Sequence, residues 1–324
     1  MIIQIRKTGA GCFILAKNNM PPMKFDKEVI WMPHRYCSFG CYFCCAKTLR
    51  DAEDRTKLRR NIDNTLAFFE RVLTPNSFVT LDGGEVSETP GFVELCQDLS
   101  AKYYISVYTN LFSKVWRDFA LAINQQKVDH IYATIHPQTI DSHMARFTSH
   151  VKLLKQSGFN LIANMVLLPD RLEQVPEIHN KMKELDVSLM HLIYYQNGVR
   201  YHYSPEEKKT VKKYCRFHAQ QLKLEFGLLD LKGKICEAGH NVFMVVDNGN
   251  VRKCAHDQTV LGNVNIDLDT IQLYDEARPC ASKIGCACIP YLIRRNVEGM
   301  DELEAFDRMA RGFVPLGKEK SDEG

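Results

Sequence analysis

From about residue 27 the chain alternates short apolar, β-branched runs with longer segments in which apolar residues recur every three or four positions. The short runs predict strands over Glu28 to Trp31, Phe78 to Leu81, Tyr104 to Tyr108, His130 to Ile135, Leu161 to Leu168 and Ser188 to Tyr195. Between them Leu58, Ile62, Leu66, Phe69 and Leu73 share one helical face, as do Trp116, Phe119, Ala120 and Ile123, and later Ile178, Met182 and Leu185. Gly158, after the apolar Val151 to Leu154, predicts a helix stop. Ser204-Pro205-Glu206-Glu207 predicts a helix start, with an N-cap, a proline in the first turn and a reciprocal glutamate.

Parallel strands need crossover connections, so strand-then-helix units in a row argue for a parallel sheet with helices outside. Six such units are too few for a closed eightfold barrel. The expected fold is therefore α/β, a partial (β/α)6 barrel with a small C-terminal cysteine-rich β-hairpin/helix module. The hairpin is read from Val242 to Val246, the turn Asp247-Asn248-Gly249-Asn250 and Val251-Arg252-Lys253, with Asn-Gly supplying positive φ angles. The chain divides into an N-terminal extension (1–26), the barrel (27–226), the cysteine-rich module (227–317) and a polar tail (318–324). In such barrels the chemistry sits beyond the C-terminal ends of the strands.

Composition narrows the partners. A net charge of +3, with Arg55 to Arg60 as the densest basic stretch, points away from nucleic acid and fits the solvated face of a helix. No apolar run is long enough to span a bilayer, and Met1 to Lys17 lacks the order of a secretory signal. A cytoplasmic protein is expected. Twelve cysteines in a reducing compartment favour metal or cluster ligation over a disulfide framework.

Cys37-Ser38-Phe39-Gly40-Cys41-Tyr42-Phe43-Cys44 follows the first predicted strand directly. Thiolates are soft donors for iron–sulfur clusters or zinc, and a closed structural zinc site wants four protein ligands. Three leave one position open for catalysis. Gly40 lets the loop fold back. A zinc knuckle, or thiols that are simply buried, remains the alternative reading of the residues. Val79-Thr80-Leu81-Asp82-Gly83-Gly84-Glu85 then puts a double glycine and a carboxylate at the end of the second strand.

These motifs resemble those of the radical S-adenosylmethionine superfamily, over about residues 28 to 290. The resemblance implies a [4Fe–4S] cluster on Cys37, Cys41 and Cys44, whose fourth iron takes the amino and carboxylate groups of S-adenosylmethionine. It implies that Phe43 flanks the adenine and that Gly83, Gly84 and Glu85 bind the methionyl amino group. Thr109 and Asn110 stand where relatives carry a Thr-Asn pair. Thr134 and Arg146 would hold the methionyl carboxylate, although His136 and Pro137 replace the family's Asp-Gly there. A surface ion pair is the alternative for Arg146. Asn164 and Val166 would lie near ribose and adenine.

Cys236 and Cys254 flank the predicted hairpin, followed by Leu261-Gly262-Asn263, Cys280, Cys286 and Cys288. This resembles the auxiliary-cluster module of the SPASM and twitch subgroups. Five cysteines suit one auxiliary [4Fe–4S] cluster, with Cys286 and Cys288 favoured and Cys280 the alternative ligand, because Cys-x-Cys replaces the usual closing pair. Zinc on the same thiols is the rival.

The resemblance thus implies an oxidoreductase-type enzyme that forms a 5′-deoxyadenosyl radical and abstracts a substrate hydrogen. Only 36 residues precede Cys37, which argues against a peptide-binding domain and for a small polar substrate such as a sugar, aminocyclitol or amino acid, oxidised or epimerised. A peptide maturase that cross-links or epimerises is the alternative. A non-catalytic iron–sulfur or zinc redox-sensing protein is the alternative from another class. His136, Tyr194, Tyr195 and Gln196 are the candidate substrate contacts, with the structural role favoured for the tyrosines. An electron donor such as flavodoxin or ferredoxin is the expected partner.

Overall fold

The computed structural model describes residues 25–44, 55–137, 140–196, 199–214, 217–218, 233, 235–255, 257, 259–281 and 313–314. Six strands alternate with six helices: β1 (Glu28–Trp31), α1 (Arg55–Val72), β2 (Phe78–Leu81), α2 (Phe92–Lys102), β3 (Tyr104–Thr109), α3 (Trp116–Ala122), β4 (Val128–Ile135), α4 (Ile140–Gln156), β5 (Leu161–Leu167), α5 (Val175–Glu184), β6 (Ser188–Ile193) and α6 (Pro205–Tyr214). β1 to β6 pair in chain order, every pair parallel. The expected α/β fold is the one observed. α2 had no counterpart in the sequence reading.

The other edge of β1 pairs in parallel with β7 (Val242–Val245), which continues antiparallel into β8 (Asn250–Arg252) and β9 (Val260–Asn263). One nine-stranded sheet results, with β9 and β6 at its ends. The hairpin therefore adds strands to the barrel sheet. Its turn differs from the expected one. The Gly249 N–H donates to the Val246 carbonyl at 2.8 Å, and Gly249 has φ 81° while Asn248 is not among the positive-φ residues. That is a three-residue loop, a turn closed by one left-handed glycine, and not a two-residue Asn-Gly turn.

Period-2 alternation assigns the two faces of the sheet. Val29 and Trp31, Val79 and Leu81, Ile105 and Val107, Ala133 and Ile135, and Ala163 and Met165 are all buried in one cluster with the helices. Phe69 of α1 meets the Trp31 ring edge-on at 5.3 Å, a burial worth about 2–3 kcal/mol for each large side chain. The intervening residues face the other way. There Ile30, Met32, Val242, Met244 and Val246 form a small apolar patch, and Thr80, Asp82, Ser106, Tyr108, Thr134 and Asn164 add polar groups across β2 to β5.

Local signals place the ends of the elements. Gly158 has φ 87°; its N–H meets the Lys155 carbonyl and that of Phe159 meets Leu154, both at 3.0 Å, closing α4 in a Schellman motif. At α6 the Glu207 N–H donates to Ser204 Oγ at 3.2 Å and the Ser204 N–H donates to the Glu207 carboxylate at 2.6 Å. This is the predicted capping box. Among the described residues no helix is long and apolar enough to cross a membrane.

Candidate active site at the strand ends

The chain leaves β1 and runs across the end of β2 before reaching Cys37. The Gly84 N–H donates to the His34 carbonyl at 3.0 Å and the Glu85 N–H to the Tyr36 carbonyl at 2.8 Å. A Cβ on Gly84 would lie 1.9 Å from the Tyr36 oxygen; one on Gly83, where φ is 132°, would lie 2.7 Å from the His34 oxygen. Only glycine permits this approach. The double glycine thus seats the cysteine loop, whatever else it binds.

Two polar ties complete the seat. His34 is 2 % exposed and its Nε2 lies 2.8 Å from Thr89 Oγ1; burial pushes the imidazole down to about 4, so it is neutral near neutral pH. Glu88 accepts both the Ser38 N–H at 3.1 Å and the Ser38 hydroxyl at 2.5 Å. Further on, Gly40 has φ 54° and the Cys44 N–H donates to the Cys41 carbonyl at 3.1 Å, which turns the loop back on itself. The Tyr42 hydroxyl reaches both Asp170 oxygens at 2.9 and 3.1 Å, on the segment after β5. Desolvation pushes the buried Cys37 thiol up to about 11; ligation to iron would hold it as thiolate regardless.

Phe39 packs against Phe112 (5.3 Å), His136 (4.9 Å) and His143 (4.8 Å), and Phe43 stacks on His136 at 6.3 Å. His136, just past β4, places Nδ1 3.2 Å from Cys41 Sγ. Arg146 of α4 lies 4.2 Å over the Phe112 ring and donates to its carbonyl at 3.3 Å.

Glu85 stitches β2 to β3. Its Oε1 accepts the Ser87 N–H at 3.2 Å, the Ser87 hydroxyl at 2.6 Å and the Thr109 hydroxyl at 2.6 Å; its Oε2 accepts the Asn110 N–H at 2.6 Å. Burial raises its pKa against the pull of these donors. One bond at Oε2 leaves acceptor capacity for another donor. Beside it, the buried Asn110 Nδ2 has no hydrogen-bond partner among the described residues, and neither has Asn164 Oδ1. Thr134 sits opposite Asn164 in the sheet register, and Val166 is half-buried on the same face. Below them Tyr108 and Tyr132 stack at 4.3 Å, and burial followed by the Asp82 charge lifts the Tyr108 phenol.

Buried polar atoms that lack a partner suit a polar ligand, and Asn110 Nδ2 and Asn164 Oδ1 are two of several such atoms among the described residues. Glu85 Oε2 suits its ammonium. Among the described residues no three His, Cys, Asp or Glu side chains converge to hold a single metal ion. A four-iron cluster asks for less convergence, since each thiolate takes its own iron. The residues present fit the cluster and S-adenosylmethionine.

The other expected residues fall elsewhere. Tyr194 follows β6, its N–H donating to the Tyr203 hydroxyl at 3.3 Å, while Tyr195 and Gln196 are exposed in a two-residue ladder. Of the C-terminal cysteines, Cys236 pairs with Arg278 in a short antiparallel ladder that Cys280 follows. Cys254 Sγ accepts the Asp257 N–H at 3.1 Å, and the buried Lys253 ammonium lies 3.1 Å from Asp257. Cys286 and Cys288 lie outside the described residues, as do Cys12, Cys45 and Cys215. Cys96 is 0 % exposed within the main core, which makes it a packing residue. Sequence reasoning gave no role to Phe39, Phe112, His143, His34, Thr89, Glu88 or Asp170. Most of their contacts span more than fifty residues, and no local spacing signals them.

No protein-family model matches the chain, and no curated sequence does. Solved structures do. SuiB from Streptococcus suis, in a structure bound to S-adenosylmethionine, superposes with a TM-score of 0.51 at 17% identity, over 78% of this chain and 66% of SuiB. SuiB has also been seen with its precursor peptide SuiA, at a TM-score of 0.52. The anSMEcpe structure with bound AdoMet gives 0.53 at 17% identity, over 77% of this chain and 80% of that one. The same protein with AdoMet and the Cp18Cys peptide gives 0.52 at 16% identity, over 75% and 79%. The chain spans about 66% of the length of SuiB. The fold is that of these structures, the mostly parallel α/β sheet that six strand-then-helix units lead one to expect.

Proposed function

We propose that this chain is a radical S-adenosylmethionine enzyme, with Cys37, Cys41 and Cys44 as the cluster ligands. The observation that carries this is the seating of the cysteine loop by Gly84 and Glu85, together with Asn110 Nδ2 and Asn164 Oδ1, which have no hydrogen-bond partner among the described residues. When bound, the [4Fe–4S] cluster supplies the electron that cleaves S-adenosylmethionine to methionine and a 5′-deoxyadenosyl radical. The protein's own work is positioning. Glu85 offers Oε2 to the methionyl ammonium. Asn110 donates and Asn164 accepts at the polar edge of the ligand, with Thr134 beside them. Phe43 and Val166 provide apolar surface for the adenine. Arg146 reaches a carboxylate by leaving its stack on Phe112.

The finer reading is oxidation or epimerisation of a small polar substrate on the inner face. The polar residues there, Asp82, Tyr108 and Tyr132 among them, support it. An auxiliary [4Fe–4S] cluster on Cys236, Cys254 and two of Cys280, Cys286 and Cys288 would accept the substrate electron. The ladder that joins Cys236 to the segment before Cys280 supports that ligand set. A peptide substrate is the second reading, favoured by the peptides bound in the SuiB and anSMEcpe structures.

The test is anaerobic production of 5′-deoxyadenosine from S-adenosylmethionine under a strong reductant. Wild type is expected to form it and Cys41→Ala to form none while keeping its circular dichroism spectrum. Undiminished production in the variant overturns the proposal. A reduced, cluster-loaded wild type that cleaves nothing favours the non-catalytic class.

A further inference from the structure

We propose that His136 is a positioning residue for the cluster, donating Nδ1–H to the Cys41 sulfur and raising the cluster's reduction potential. This rests on the cluster assignment above, and goes beyond it by giving His136 a task at the metal in place of a substrate contact.

Three observations meet at this ring. Its Nδ1 lies 3.2 Å from Cys41 Sγ, within hydrogen-bond reach for sulfur. A thiolate bound to iron has no proton to give, so at this contact the ring nitrogen must carry it. The ring is also held in place. Phe39 meets it edge-on at 4.9 Å and Phe43 lies against it at 6.3 Å, and both belong to the loop that carries the cysteines. Finally, His136 stands immediately beyond Ile135, the last residue of β4. That strand is paired on both sides, so the donor is anchored to the sheet and not to the loop it contacts. A donor fixed on the scaffold and aimed at a ligand sulfur is how a protein tunes an iron–sulfur centre. Reduction adds negative charge to the cluster and its thiolates. A hydrogen bond to sulfur stabilises the reduced form more than the oxidised one, and the potential rises.

The experiment is a redox titration of the reconstituted full chain, followed by electron paramagnetic resonance on the signal that S-adenosylmethionine perturbs. That choice isolates the Cys37–Cys41–Cys44 cluster from any second centre. His136→Phe keeps a ring between Phe39 and Phe43 and removes the donor. Its reduction equilibrium constant is expected to fall roughly tenfold, a midpoint about 59 mV more negative. His136→Gln retains an N–H and is expected to recover at least half of the shift. An unchanged midpoint in His136→Phe overturns the inference, and so does an equal shift in both variants. Should His136→Phe fail to hold iron, His136→Gln decides: wild-type iron with a near-wild-type midpoint supports the hydrogen bond. Iron lost from both variants assigns the ring to packing and overturns it. If the wild type itself carries no cluster on these cysteines, the functional proposal fails, a result distinct from all of these.

Discussion

The loop from Cys37 to Cys44 and the described C-terminal cysteines are held in different ways. The loop is bonded to segments far away in sequence, Glu88 after β2, His136 after β4 and Asp170 after β5, and the residues that lead into it, His34 and Tyr36, are bonded to Gly84 and Glu85. Cys254 is braced by its near neighbours, Lys253 and Asp257, and Cys236 by a two-residue ladder. The first arrangement fixes three sulfurs against the whole end of the sheet, as a site that must position a bound cofactor requires. In the second, Cys254 follows β8, one of the strands that extend that sheet past β1, while Cys236 lies in a two-stranded ladder separate from it. The barrel end is therefore expected to tolerate loss of the C-terminal site, whereas the reverse dependence runs through the sheet itself.

The severest way to break this contrast is Gly84→Ala. A methyl group cannot occupy a point 1.9 Å from the Tyr36 oxygen, so the loop must lift off β2. A loss of about 3 kcal/mol is expected in denaturant unfolding, together with poor iron incorporation. Normal iron loading in Gly84→Ala would show that the loop is seated by other contacts.

Cys254→Ala sharpens the contrast from the other side. It is expected to leave 5′-deoxyadenosine production near wild type while lowering the iron content by one cluster and reducing turnover of substrate. Wild-type iron in this variant would remove Cys254 from any metal site.

A smaller effect is pH-dependent. Burial holds His34 at about 4, below its ordinary 6.5, so the folded state binds fewer protons there. Its contribution is present above pH 6.5 and is lost as pH falls toward 4, at no more than about 1.36 kcal/mol per pH unit, ~3 kcal/mol in all. His34→Gln, which keeps a donor toward Thr89 Oγ1, is expected to flatten that part of the stability curve. Identical slopes between pH 6.5 and 4 would contradict the assignment.

The strands were legible because short runs rich in β-branched and aromatic residues mark strands, and Phe78–Leu81 and Tyr104–Thr109 are such runs, with Thr80 and Ser106 as their polar alternates. The capping box at Ser204 and the stop at Gly158 were legible because both are local chemistry. At the hairpin, Asn248-Gly249 announced a turn but not its length, since one or two positive φ angles satisfy the same pair of residues. Long-range polar contacts were not legible. His34 with Thr89 and Ser38 with Glu88 are single polar side chains meeting across the fold, with no periodicity to betray them. The glycines at 83 and 84 were visible as a motif, yet their packing against the His34 and Tyr36 carbonyls required the register of β1 on β2.

The mildest break is Tyr42→Phe. Tyr42 is 63% exposed, so its bond to Asp170 is expected to contribute under about 1 kcal/mol. S-adenosylmethionine cleavage should change less than about threefold. A larger loss would make the bridge from the loop to the segment after β5 part of the working site.

The most direct test of the central claim is iron and acid-labile sulfide after anaerobic reconstitution, in wild type and in a variant with alanine at Cys37, Cys41 and Cys44. Two clusters are expected to fall to one, with the remaining cluster insensitive to S-adenosylmethionine. Iron and sulfide unchanged in the variant would contradict it, because the three thiols after β1 would then hold no cluster.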